Sequence, residues 1–210
     1  MSVLVVGGHS RSVGKTSVVA GLIAALPEYH WTAFKVTQYG HGICSRSGKT
    51  CHCASDDHTW AISEEKDRSG KSDTSRFLVA GAHSVWWVRT EQGRLAEALP
   101  SIRQRMSESE NVVLESNSIL KFIRPDLYLT VLDPAKSDFK KSAREALGLA
   151  DAIILRESPA NGSAWAGISL DHIKRPIFRV RPPEYVNEEI ATFVRSRLAC
   201  GPIPGVSSRA

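Results

Sequence analysis

The stretch VVGGHSRSVGKTSVVAGL, residues 5–22, sets a continuous apolar run, a glycine-rich loop and an apolar-periodic segment directly in line. SVLVVG (residues 2–7) has no polar alternation, as expected of a strand buried on both faces. Beyond Gly14, residues Val18, Val19, Leu22, Ile23 and Leu26 repeat at helical spacing until Pro27 stops the pattern. A strand that turns through glycine into a helix aims backbone N–H groups and the positive end of the helix dipole at one point, which suits an anion. Gly14-Lys15-Thr16-Ser17 at the turn adds a cation and hydroxyls. Lys15 is expected to reach the β- and γ-phosphates of a nucleotide, and Thr16 to ligate Mg²⁺. The expected nucleotide-binding residues are Gly8, Ser12, Val13, Gly14, Lys15, Thr16 and Ser17. The common form of this loop has four residues between its first glycine and Gly-Lys; here His9 holds that first position and Gly8 leaves five.

The same rhythm continues along the chain. Strands are predicted at residues 32–37, 84–89, 111–116, 127–133, 152–156 and 176–180. Helical faces are formed by Leu95, Leu99, Ile102 and Met106, and by Ile190, Phe193, Val194 and Leu198. A further helix is expected over 138–147 with Ser137 as its cap. Alternation of this kind predicts an α/β chain with a mainly parallel sheet. Its length suits one domain over residues 1–200, followed by a flexible tail over 201–210.

Two charged residues interrupt apolar strands. Lys35 lies inside AFKVT, where an unpaired ammonium is costly, so a carboxylate or phosphate is expected to meet it. Glu115 ends NVVLE at the place where an acid would help hold Mg²⁺. Lys15, Lys35 and Glu115 are therefore the expected catalytic residues, with Thr16 and Glu115 as magnesium ligands. Asp73, in GKSDTSR, is sufficiently explained as a helix cap, and a site role for it rests mainly on resemblance.

Composition narrows the partners. The formal charge is +5, but residues 1–50 hold Arg11, Lys15, Lys35, Arg46 and Lys49 against Glu28 alone, a balance of +4. Basicity gathered around the loop reads as a site for a nucleotide's phosphates. No run of Lys/Arg interleaved with aromatics supports nucleic acid as a partner, and no apolar run is long enough for a membrane span. A cytoplasmic location is the expectation that follows.

The loop and first helix, GHSRSVGKTSVVAGLIAAL, resemble those of dethiobiotin synthetase, whose longer phosphate loop also ends in Val-Gly-Lys-Thr. Lys35, the GKSDTSRFLVAGAHSVWWVR stretch and Glu115 follow in the order seen in the molybdopterin-guanine dinucleotide biosynthesis adaptor protein, and the resemblance spans about residues 2–120. Both families have Glu-Gly where this chain has Glu115-Ser116-Asn117. The resemblance implies a three-layer αβα P-loop NTPase fold, ATP or GTP with Mg²⁺ as cofactors, and Mg-dependent NTPase chemistry. It also implies work with a cofactor-biosynthesis enzyme partner, and homodimerisation. A phosphoryl-transfer ligase of the dethiobiotin synthetase kind and an NTP-regulated metallochaperone are the alternatives. No Asn-Lys-x-Asp motif selects guanine, so the base stays open.

Residues 40–72 break the pattern as a polar insertion after the second strand. Within it His41, Cys44, Cys51 and Cys53 form a set that suits Zn or Fe. The C-x₆-C-x-C spacing is not that of common zinc modules, and incidental thiols on a loop remain the alternative.

Overall fold

The computed structural model describes residues 1–40, 59–157, 165, 168, 170 and 173–199. His41, Cys44, Cys51 and Cys53 lie outside the described residues, as does the tail.

Among the described residues, eight strands form one sheet. They are β1 (Val3–Gly8), β2 (Trp31–Tyr39), β3 (Trp60–Glu64), β4 (Ser84–Glu91), β5 (Asn111–Glu115), β6 (Leu127–Leu132), β7 (Ala152–Arg156) and β8 (Ile177–Val180). Their order is β3-β4-β2-β5-β1-β6-β7-β8, parallel throughout except for antiparallel β3 against β4. The helices are α1 (Lys15–Ala25), α2 (Asp73–Val79), α3 (Leu95–Ser107), α4 (Lys141–Leu147) and α5 (Glu188–Ala199).

Side-chain alternation along the strands divides the core. Leu4 and Val6 of β1 pack with Val18 and Leu22 of α1, Phe77 of α2 and Val194 of α5. Val3 and Val5 face the other way, with Leu99 and Ile102 of α3 and Ala146 of α4. The result is a three-layer αβα arrangement, with α1, α2 and α5 on one face and α3 and α4 on the other. Both faces of β1 are fully covered, which is why its sequence shows no polar alternation.

The strands predicted from sequence are present with small changes of boundary. β2 runs on to Tyr39, beyond the expected 37, because its pairing with β4 continues to Tyr39 opposite Glu91. β3 falls inside the segment read as a polar insertion, where no strand was expected. Its five residues take register from β4, not from periodicity of their own. The helix expected from residue 138 starts only at Lys141 and has no side-chain cap, so Ser137 is not its cap. Asp138 is engaged elsewhere: its carboxylate accepts from the Ser10 hydroxyl at 2.7 Å. For α2 the cap is Ser72, whose hydroxyl accepts from Ser75 N–H at 3.0 Å; Asp73 is the first helical residue, which leaves its carboxylate available to the site. Gly81, at φ +103, follows the end of that helix in the left-handed conformation that favours glycine.

Candidate functional site

The carboxyl ends of β1, β2 and β5 converge where an open parallel sheet places its ligand crevice. After β1 the chain passes through Ser12 at φ +55 and Gly14 at φ +107 into α1. Gly14 caps α1 without a side-chain bond, so the first-turn N–H groups stay directed into the loop. Val13 is fully buried in the core, so its side chain anchors the loop and does not face a ligand. Ser17 accepts from the Arg76 guanidinium of α2 at 3.0 Å.

Glycine is required at Gly14. A Cβ there would stand 2.2 Å from the Tyr185 ring, in a backbone conformation that L side chains rarely adopt. Gly14→Ala is therefore expected to cost about 2 kcal/mol or more, read by urea unfolding. An unchanged midpoint would show that Tyr185 simply moves aside.

Lys15 donates to the Ser10 carbonyl at 2.6 Å. Burial pushes its ammonium down to about 8, with the Glu115 carboxylate opposing and Lys35 adding to the effect. Neutralisation is easier here than in water, and a phosphate would restore the charge.

The register of β2 on β5 sets Lys35 opposite Glu115, so their side chains meet on one face. Lys35 Nζ lies 2.8 Å from Glu115 Oε1, 2.7 Å from Asp73 Oδ2 and 3.3 Å from Thr16 Oγ1. Thr16 in turn donates to Glu115 Oε2 at 2.8 Å. Burial alone would push Lys35 down, but the two carboxylates outweigh it and hold it above the usual lysine value. Glu115 is 5% exposed and Asp73 about half exposed. The carboxylate that the sequence required for Lys35 is thus present twice.

Three further contributions were not assigned to the site from the sequence. Asn117 is the first: its Oδ1 accepts from Gly8 N–H at 2.9 Å while its Nδ2 donates to the Gly8 carbonyl at 2.8 Å. A side-chain amide that satisfies both backbone groups of one residue fixes the start of the loop. Ser116, where the resembled families have glycine, does not take a positive φ, so no glycine is needed.

His9 is the second. It is fully buried, with Nδ1 2.8 Å from the Asp138 carbonyl and Nε2 accepting from Asp133 N–H at 3.0 Å. That pair of bonds assigns the proton to Nδ1. Burial holds the ring below its usual value despite Asp138 and Asp133. Phe139 and Trp165 enclose it at centroid distances of 5.1 and 5.0 Å. The larger residue at the usual glycine position is therefore a tether from the loop to the segment after β6.

The third is α2, which carries Asp73 to Lys35 and Arg76 to Ser17 from one short helix. The Gly-Lys-Ser-Asp run was its signal in the sequence, although capping was sufficient to explain Asp73 there; the cap is Ser72.

A cleft of about 190 Å³ lies at the carboxyl ends of β7 and β8, lined by Glu157, Arg179, Val180, Arg181, Glu184 and Asn187. The loop that follows β8 borders this cleft with Glu184 and Asn187 and packs Tyr185 on Gly14. Among the described residues there is no group of three or more His, Cys, Asp or Glu side chains that could hold a metal ion. The oxygens of Thr16, Glu115 and Asp73 are a hard donor set, which suits Mg²⁺ completed by phosphate and water. No helix among the described residues is long and apolar enough to cross a membrane.

No family model and no curated protein matches the chain. Solved structures similar to it include HypB from Helicobacter pylori in complex with nickel, at 12% identity and a TM-score of 0.47, covering 98% of this chain and 91% of that one. Another is LpxK from Aquifex aeolicus in complex with ATP, at 16% identity and a TM-score of 0.46. This chain is covered to 85% there and spans 53% of the LpxK chain. Bacillus subtilis MobB is similar at 16% identity and a TM-score of 0.39, covering 94% of this chain and 98% of that one. Likeness at this level transfers none of those proteins' chemistry to the residues around Lys15.

Proposed function

We propose that this chain is a P-loop protein that binds ATP or GTP with Mg²⁺ and carries out phosphoryl chemistry in cofactor or metal-centre assembly. The observation that carries the reading is the meeting of Lys15, Thr16, Lys35, Glu115 and Asp73, from four separate elements, at the mouth of a loop built to hold an anion. Assembly work, with a biosynthetic enzyme as partner, rests on the order of Lys35, Asp73 and Glu115, which resembles the molybdopterin-guanine dinucleotide adaptor.

In this reading the first-turn N–H groups of α1 hold phosphate oxygens and Lys15 neutralises the β/γ bridge. Thr16, Glu115 and Asp73 would hold Mg²⁺, whose positive charge would offset that of the transferred phosphoryl group. Lys35 orients the two acids and is within reach of a γ-phosphate. Asn117 and His9 keep the loop in place from opposite sides. The cleft beside Tyr185 takes the nucleoside.

Thermal shift with Mg-ATP and Mg-GTP tests this. At about 100 times Kd a ligand adds roughly 2.7 kcal/mol, which for a chain of this size raises Tm by about 5–10 °C. No shift with either nucleotide at millimolar concentration would sink the proposal. Phosphate release that requires a small acceptor would instead indicate a ligase of the dethiobiotin synthetase kind.

A further inference from the structure

Lys35 places its ammonium on an oxygen of each of the three residues that would hold a divalent cation. It contacts Asp73 Oδ2 at 2.7 Å, Glu115 Oε1 at 2.8 Å and Thr16 Oγ1 at 3.3 Å. Mg²⁺ binds oxygen at about 2.0–2.1 Å. An ion at that distance would compete with the ammonium for these same oxygens. Both are cations, and Lys15 adds a third positive charge near by. Only one of the two can take the oxygens at a time.

We propose that Lys35 and a divalent cation exchange on the Thr16, Glu115 and Asp73 oxygens, and that the exchange makes metal entry conditional on a nucleotide phosphate. The inference rests on the nucleotide-binding reading above. Its physical basis is what becomes of the displaced ammonium. The Lys35 side chain is 16% exposed, so without a phosphate its displacement strands a mostly buried charge. The phosphate oxygens of a nucleotide on the loop give it a new partner, on a stem flexible enough to reach them. Lysine thus keeps the two acids paired in the nucleotide-free protein and guards their oxygens against free cations. It then delivers its own charge to the phosphate when the metal arrives with the nucleotide.

The test is Mn²⁺ titration of the full chain without nucleotide, followed by electron paramagnetic resonance. Wild type is expected to bind Mn²⁺ weakly. Lys35→Met, which keeps a stem of similar size and lacks the charge, is expected to bind Mn²⁺ at least tenfold more tightly. Its Tm without metal is expected to fall below wild type and to recover with Mn²⁺. Unchanged or weaker Mn²⁺ binding by Lys35→Met overturns the exchange even if ATP or GTP binds. Absence of nucleotide binding overturns the nucleotide reading even if the metal titration behaves as expected. If Lys35→Met does not fold, the ¹⁵N ammonium resonance of Lys35 is followed in wild type. It should hold its position in millimolar Mg²⁺ alone and move when Mg²⁺ is added with a non-hydrolysable nucleotide. A shift of similar size with Mg²⁺ alone overturns the proposal.

Discussion

Lys15→Met is expected to lower nucleotide affinity by about 100-fold while making the ligand-free protein more stable at pH 7. The two effects share one cause. Lys15 is charged at neutral pH yet desolvated, and burial brings its folded value to about 8 against an unfolded 10.5. The folded state therefore holds the proton less firmly. The unfolded chain binds more protons between pH 8 and 10.5, so stability rises with pH through that window, and the cost is full below pH 8. The gap corresponds to about 3 kcal/mol, which methionine removes. Calorimetry should show Lys15→Met melting several degrees above wild type at pH 7, with the difference shrinking by pH 10. Equal melting temperatures at both pH values would mean that the burial cost is met by contacts of the lysine stem. Nucleotide affinity of wild type should weaken above pH 8, whereas that of the variant should be flat with pH.

Glu115→Ala is the second large effect, in the opposite direction. Glu115 is buried and accepts from Lys35 and Thr16 together, so its removal leaves a buried ammonium with Asp73 as its remaining carboxylate. Breaking one side of a buried pair costs about 3–5 kcal/mol. The double variant Glu115→Ala/Lys35→Met should cost less than the sum of the two single variants, by about 2 kcal/mol, because the stranded charge is gone. Urea unfolding of the four proteins supplies the cycle. Simple additivity would show that Lys35 and Glu115 do not depend on one another. Glu115→Ala should also lose Mg-nucleotide binding, which the double variant is not expected to recover.

How much of this could be read in advance depends on the range of the interactions concerned. The loop from Gly8 to Ser17 was legible because its parts are contiguous: β1 ends in glycine, Gly14 needs a positive φ, and α1 begins at Lys15. Lys35 and Glu115 stood out as charges on apolar strands, and the demand for a partner followed from the cost of burial. That each is the other's partner depends on the β2–β5 register, which no local pattern encodes. β3 was missed because its five half-buried or exposed residues carry little periodic signal and are held by β4. The late start of α4 was missed because Asp138 bonds to Ser10, and the Lys140 N–H to the His9 carbonyl, more than 125 positions away.

Asn117 and His9 show the division most plainly. In the sequence they are departures from a familiar pattern, and a departure reveals only that something else satisfies the backbone. The amide of Asn117 on Gly8, and the imidazole of His9 between Asp138 and Asp133, come into being only when β5 and β6 flank β1. Strand, turn and helix signals act over a few residues, and they suffice for an α/β chain with an anion-holding loop. Which acids meet Lys35, what fixes the loop, and that Asp73 joins the site emerge only from the packed fold. Those are contacts between segments tens of residues apart, and they form only when a common core brings the strand ends together.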